Sequence, residues 1–284
     1  MKRTFVTFAT DNYMELAKVL QESIVAFSNY DLKIYTPNDI YINSSDLKNY
    51  RCKILTCLKA IEDGYDEIIW IDTDCVVTNN IDKIWFESWR IEDYPLLSKH
   101  RFFNYHLWTN NRPKYNDSNF MKLGKNKVGV INDFEDIYLQ ACFILFNKNC
   151  KSFFEEVLSY YENYDASCFP FGDESILNCL IWKRNGGNLG SIFLCSSYFH
   201  PDCIEEFIYI KDRNDFVKLF NKRIFSKGFG YGFWEDHNNS DRTLDFTFPL
   251  IENNFENILF FHGTKDPKLH KYYIDLMIKN RLKL

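Results

Sequence analysis

The stretch Asp66-Glu-Ile-Ile-Trp-Ile-Asp-Thr-Asp-Cys-Val-Val-Thr-Asn-Asn80 decides how this chain is read. Ile68, Ile69, Trp70 and Ile71 form an apolar run too short for a helix. Bounded by acidic residues, the run reads as a buried strand. Asp72 and Asp74 follow at once, with Thr73 between them. On extended backbone such alternate residues point to one side, with Cα atoms roughly 6–7 Å apart. Two carboxylates converging at the C-terminal end of a strand make a hard, oxygen-rich cation site. Mg²⁺ or Mn²⁺ suits those ligands, above all when a substrate diphosphate completes the shell. The plainer alternative is a polar turn after a strand.

Composition narrows the classes. At 284 residues the chain is long enough for one large α/β domain or two small ones. Aromatic residues make up 18%, enough to fill a sizeable core and also line a pocket. A net charge of −5 lacks the basic excess of a nucleic-acid binder, so no nucleic-acid partner is expected. Met1-Lys2-Arg3 runs straight into strand-like sequence, and no apolar run reaches transmembrane length. The expectation is a cytoplasmic protein whose membrane contact, if any, is peripheral. The nine cysteines are odd in number and contain no Cys-x-x-Cys pair, so they read as reduced thiols.

Working outward from the central stretch, Thr4–Thr10 is a first strand, and Asp11 or Asn12 is placed to cap the following helix. Leu16, Val19, Leu20, Ile24 and Phe27 give that helix its spacing, and Leu32–Tyr35 is a second strand. This βαβ opening implies parallel neighbours and a right-handed crossover. Residues 37–49 read as loop. A helix over 51–63 carries Ile54, Leu55, Leu58 and Ile61 on one face and ends at Gly64. Ile81–Trp89 reads as a short aromatic helix and Tyr94–Ser98 as a strand. Residues 100–130 lack periodicity and read as an active-site loop or a disordered segment. An apolar run over 137–146 contains Gln140, and helices follow around Phe153–Tyr161 and from Asp173 to the Gly186-Gly187 stop. Strands are expected at Ile192–Cys195 and Ile258–Phe261, with a glycine–aromatic stretch at Gly228–Trp234 between them. A closing amphipathic helix carries Leu269, Tyr272, Tyr273, Leu276 and Met277. No domain boundary is evident, so residues 1–284 read as one domain, with a nucleotide-binding half (1–99) and an acceptor-side half (100–284).

Several blocks together resemble one family in chain order. Val6-Thr-Phe-Ala-Thr10 with Tyr13 is similar to the first strand and donor loop of family 8 (glycogenin-like) glycosyltransferases. Asp72-Thr-Asp74 and its continuation to Asp82 resemble the family's Asp-x-Asp segment. Ile144–Asn147, Asp173–Asn178 and His262-Gly-Thr-Lys265 resemble later blocks. The resemblance implies the GT-A fold: a Rossmann-like α/β architecture with a central mixed, mostly parallel sheet flanked by helices. It also implies a nucleotide-sugar donor, most often a UDP-sugar, Mn²⁺ (or Mg²⁺), a glycan or protein-linked hydroxyl acceptor, and retention of anomeric configuration. The chain departs from the family at three places. Gln140-Ala141-Cys142 stands where the family usually has Asn or Gly. Asp173-Glu174 stands where it often has Asp-Gln. His262 directly precedes Gly263, which leaves Phe260 in the place of the family's metal histidine.

Roles follow from chemistry and resemblance together. Asp72, Asp74 and His262 are the expected metal ligands, the metal acting as a Lewis acid on the leaving diphosphate. Phe8, Ala9, Thr10 and Tyr13 lie at the C-terminal end of the first strand, where open α/β sheets bind ligands. With Lys53, Asp72, Thr73, Gly263 and Lys265 they are the expected donor contacts. Lys265 is placed to neutralise diphosphate. For Lys53, helix capping or exposure is the simple alternative. Asp173 and Glu174 are the candidate catalytic carboxylates on the sugar side, with Gln140 beside them; a helix-start acid favoured by the dipole is the alternative. Two rival readings remain. One is a haloacid-dehalogenase-like phosphatase with Asp72 attacking phosphorus, although such enzymes carry the motif on their first strand. The other is a nucleotide-sugar-binding protein without turnover.

Overall fold

The computed structural model describes residues 1–42, 51–77, 80–99, 121–131, 139–185 and 260–262, and from the closing segment 267, 268, 271, 274, 275 and 278. Strand β1 (Arg3–Phe8), helix α1 (Met14–Phe27) and strand β2 (Leu32–Tyr35) form the opening βαβ unit. Helices α2 (Pro37–Ile40) and α3 (Arg51–Glu62) lead to β3 (Glu67–Ile71). Strands β4 (Cys75–Val77) and β5 (Leu96–Lys99) flank a 3₁₀ helix over Ile81–Arg90. Then come α4 (Lys122–Val128), β6 (Leu139–Asn147), α5 (Lys151–Glu162), α6 (Asp173–Asn185) and β7 (Phe260–His262).

The main sheet has the order β2-β1-β3-β6-β5. β1 pairs parallel with β2 and β3, and β6 runs antiparallel to both β3 and β5. Four of its five strands therefore point one way. β3 is central, and all five of its residues are buried. Full burial of an isoleucine is worth roughly 1.5–3 kcal/mol, and Ile68, Ile69 and Ile71 are each completely enclosed. That explains why the run carries no polar alternation. The C-terminal ends of β1 and β3 lie side by side, so Thr10 and Asp72 share one edge of the sheet.

Several local expectations are corrected. α1 begins at Met14 after a 3₁₀ turn over Asp11–Tyr13, and no side chain caps it. Residues 37–40 are a helical turn, because Thr36 and Asp39 form a reciprocal capping box with Pro37 in the first turn. The expected loop over 100–130 contains α4. The predicted features at 192–195 and 228–234, and the residues Leu269, Tyr272, Tyr273, Leu276 and Met277, lie outside the described residues. Ile274 of that closing segment is buried. The seven described cysteines are free thiols.

α4 stays close to α6 through Gly124. A Cβ there would lie 2.4 Å from the backbone oxygen of Cys168, 3.2 Å from the Phe169 ring and 3.3 Å from Cys179 Sγ. Backbone cannot yield as a flexible side chain would. Gly124→Ala gains about 1 kcal/mol of helix propensity, yet the overpacking cost of about 1–3 kcal/mol is expected to win. Urea unfolding should show a lower midpoint for this variant; an equal or higher one would mean that the α4–α6 contact opens freely.

Candidate active site

The site begins where β3 stops. The Asp72 N–H donates to the Cys142 carbonyl at 2.9 Å, extending the β3–β6 ladder by one bond. The chain then turns: the Cys75 N–H donates to the Asp72 carbonyl at 3.1 Å. Asp72-Thr73-Asp74 is thus a β-turn joining β3 to β4, and the extended alternation expected for the two acids does not occur. Both acids are partly buried in that turn. β4 is held from two sides. The Val77 N–H donates to Ser23 Oγ of α1 at 3.0 Å. β7 pairs antiparallel with β4, setting Cys75 opposite His262. β7 thereby delivers the His262 backbone to the end of β4 that adjoins Asp74. Ser28 and Asn29, just past α1, both donate to Asp82 and fasten the chain beyond β4.

Lys53 lies at the centre of the site rather than at its rim. α3 buries Lys53, Cys57 and Ala60 on one stripe. The small side chains of that stripe let the helix sit close to the sheet. The Lys53 ammonium donates to the Ala141 carbonyl at 2.8 Å and pairs with Asp72 Oδ1 at 3.2 Å and Asp173 Oδ2 at 2.8 Å. Trp70 Nε1–H also donates to Asp72 Oδ1, at 2.7 Å. The ammonium thus faces three protein oxygens, the Ala141 carbonyl by a hydrogen bond and the two carboxylates as ion pairs. It joins the Asp-x-Asp turn to the head of α6.

β6 completes the arrangement through a gap in its pairing. Leu97 pairs with Ile144, but Ser98 pairs with Gln140, so residues 141–143 are skipped by β5. The β3 ladder ends at Ile71 and Phe143. Ala141 therefore has no strand partner on either side, and side chains take its place. Its C=O accepts from Lys53, and its N–H donates to Glu174 Oε2 at 3.1 Å. Asn178, one helical turn beyond Glu174, accepts from the Leu139 N–H and donates to the Leu139 carbonyl, both at 2.8 Å.

The two acids at the head of α6 have different surroundings. Asp173 is 5% exposed, and its Oδ2 makes no hydrogen bond of good angle despite its closeness to Lys53. Burial raises its pKa, and Lys53 reverses this only in part. Glu174 keeps part of its surface open while protein surrounds its carboxyl. Burial lifts it to about 7; the Ala141 N–H opposes the rise, and the neighbouring Asp173 adds to it. For Lys53, burial acts to lower the pKa, but Asp173 and Asp72 outweigh it and hold the ammonium well above the ordinary lysine range.

The structure thus brings Asp72, Lys53, Asp173 and Glu174 together, with Ala9, Thr10 and the exposed Tyr13 past the neighbouring strand end. Phe8 closes β1 as a buried residue, and the Ala9 N–H is tied to the Tyr35 carbonyl at 2.9 Å. Gln140 and His262 are placed by their backbones; their side chains, like Gly263 and Lys265, lie outside the described residues. Among the described residues no three His, Cys, Asp or Glu side chains gather as a metal cage. The donor chemistry of the turn still fits a hard divalent cation. Two carboxylates lie there, and a diphosphate supplies further oxygens. Asn178 was missed as a site residue. Its sequence signals are the four-residue spacing from Glu174 and its place at the end of the Asp173–Asn178 block.

No protein-family model matches the chain. No curated protein matches it either. Solved structures do. An apo structure of the bifunctional glycosyltransferase WbbM aligns with a TM-score of 0.55 at 11% identity, over 98% of this chain. The present chain spans only 51% of the WbbM chain. An active-site mutant of LgtC aligns with a TM-score of 0.50 at 15% identity, covering 96% of this chain and 95% of the other. These likenesses establish the fold as GT-A, with its central mixed, mostly parallel sheet flanked by helices. No helix among the described residues is long and apolar enough to cross a membrane.

Two outcomes follow from the charges. Lys53→Met leaves Asp173 enclosed without its counter-charge, and loss of one partner of a buried pair costs about 3–5 kcal/mol. Urea unfolding at neutral pH should show a loss of that size; a loss under about 1 kcal/mol would mean the group is solvated. Glu174 has a folded pKa above its ordinary 4.5, at about 7. Its stabilising share is therefore complete below 4.5 and is lost as pH rises through 7. Stability should fall by about 2 kcal/mol across that window, from 1.36 kcal/mol per unit discounted for residual solvent. Glu174→Gln should flatten this slope; an unchanged slope would place the titration elsewhere.

Proposed function

We propose that this chain is a metal-dependent glycosyltransferase that moves a sugar from a nucleotide-sugar donor, in first place a UDP-sugar, to a hydroxyl of a glycan or protein-linked acceptor. The observation that carries the reading is the single ammonium of Lys53 shared between Asp72 and Asp173. It wires a turn suited to a cation–diphosphate to an acid pair suited to a sugar, on the ligand-binding edge of a parallel sheet. Transfer breaks the bond from the anomeric carbon to the diphosphate oxygen and forms one to the acceptor oxygen. The diphosphate leaves with the electron pair, and the acceptor hydroxyl's proton is released as the new bond forms.

Each residue has a share in that reading. Asp72 and Asp74 would hold Mn²⁺ or Mg²⁺, with His262 proposed as the protein nitrogen of the shell. Bound there, the cation supplies Lewis-acid stabilisation of the leaving group. Lys265 and Gly263 are proposed at the diphosphate, and Tyr13 at the base. Between the two α6 acids, Glu174 is assigned the sugar side on the resemblance, as the residue in the place where family 8 enzymes often have Gln, whereas Asp173 is enclosed against Lys53. Retention of configuration rests on the resemblance to family 8 glycosyltransferases. The phosphatase rival is disfavoured by chain order, since a full βαβ unit precedes Asp72, whereas such enzymes carry the motif on their first strand.

The test is a nucleotide-sugar panel with Mn²⁺, scored by nucleotide release. Asp72→Asn and Asp74→Asn should each lose metal-dependent release by about 10²-fold or more, in the range seen when one electrostatic group of a transition state is removed. Circular dichroism should report an intact fold. Full activity in both variants, or a phosphoenzyme on Asp72, would overturn the reading.

A further inference from the structure

The overhanging end of β6 is read by α6 as if the helix were a strand. Residues 139 and 141 lie two apart on extended backbone, roughly 6.6 Å. Glu174 and Asn178 lie four apart on a helix, roughly 6 Å along its axis. The two spacings match, and they run in opposite senses: Glu174 meets Ala141, and Asn178 meets Leu139. Asn178 is fully buried and makes every bond that its amide can direct inward. Oδ1 accepts from the Leu139 N–H, and Nδ2 donates to the Leu139 carbonyl and to the Glu174 carbonyl, the last at 2.8 Å. A carboxamide is the one short side chain that can both accept and donate twice in this way.

We propose that Asn178 is a positioning residue of the active site: by joining Leu139 to the Glu174 carbonyl, it sets the Glu174 carboxyl on the Ala141 N–H and fixes the backbone of Gln140 between two pinned residues. Asn178 touches no substrate. It acts through Glu174, which the proposed function assigns to the sugar, so the kinetic consequence rests on that reading. The geometric consequence does not.

The Glu174 carboxyl is faced by Lys53 from α3, by Asp173 from its own helix and by Ala141 and Cys142 from β6. Its enclosure among them raises its pKa to about 7. Releasing the first turn of α6 from β6 loses the Ala141 N–H, which by itself raises the value, and lets water reach the carboxyl, which lowers it; burial is the larger of the two influences, so the net shift is downward.

The experiment titrates the Glu174 carboxyl by ¹³C NMR in protein labelled at glutamate, with the signal assigned by its loss in Glu174→Gln. The parent should titrate near 7. Asn178→Ala should move the midpoint down by about one unit or more, toward the ordinary glutamate range. Asn178→Ser removes the bonds to Leu139 while its hydroxyl can still reach the Glu174 carbonyl; it should shift the same way and decides the matter if the alanine variant does not fold. Donor turnover on the same samples should show kcat lowered by between about tenfold and a hundredfold, as misplaced groups do, with KM little changed. A midpoint unmoved in a folded variant overturns the proposal and leaves Asn178 structural. A shifted midpoint in a protein that turns over no nucleotide sugar keeps the positioning role and overturns the proposed function instead.

Discussion

A lysine ammonium carries three donors and must be offered three acceptors when water is taken away. Lys53 is offered the Ala141 carbonyl, Asp72 and Asp173, and each comes from a different element. Taking such a charge out of water costs several kcal/mol unless its partners are all in place. Four features are therefore constrained together. α3 must present its small-residue stripe to the sheet. β3 must end at residue 71, α6 must begin at 173, and β6 must overrun β3 so that Ala141 has a carbonyl to spare. A shift by one residue in any of them strands a charge. The same ammonium ties the Asp-x-Asp turn to the head of α6, so the candidate site and the packing of the fold share one group.

Much of this was legible. Short apolar runs ending in turn signals located β1, β2 and β3, and the acid-led start of α6 is plain in Gly172-Asp173-Glu174. The geometry of the Asp-x-Asp turn was not, because alternation predicts a common side only while backbone stays extended, and the Cys75–Asp72 bond closes it first. Lys53 was misplaced for a related reason. Weighing Ile54, Leu55, Leu58 and Ile61 by hydrophobicity finds part of the buried face, since Ile54 and Leu58 are buried, but Leu55 and Ile61 stay partly open while Lys53, Cys57 and Ala60 are buried as well. Close approach favours small residues, and hydropathy does not record it. The skipped pairing of residues 141–143 leaves no local mark at all, since a neighbouring strand decides it.

Fold and chemistry enter this protein at different levels. Likeness at 11–15% identity establishes the fold alone. It says nothing of which sugar is chosen, because sites are grafted on folds. On the proposed function, that choice is set by residues that differ from the family 8 pattern which the chain resembles. Gln140-Ala141-Cys142 occupies the overhang of β6, and Glu174 stands in the place often held by a glutamine. A glutamine amide is always neutral, offering both donor and acceptor. A glutamate near 7 offers a donor only while protonated and two acceptors once ionised.

That difference bears on the charge of the whole site. Asp72, Asp173 and Glu174 gather around the ammonium of Lys53, with Asp74 two residues beyond Asp72 in the turn. A diphosphate approaching this set meets like charge, and two unit charges 4 Å apart repel by about 4 kcal/mol at an effective dielectric constant near 20. The surplus must be offset before a nucleotide sugar can settle, and the proposed divalent cation at the turn offsets two of the four. A proton on Glu174 offsets a third. Cation and proton then favour donor binding by the same electrostatic route. Glutamine at 174 would make that third neutralisation permanent, whereas glutamate ties it to pH.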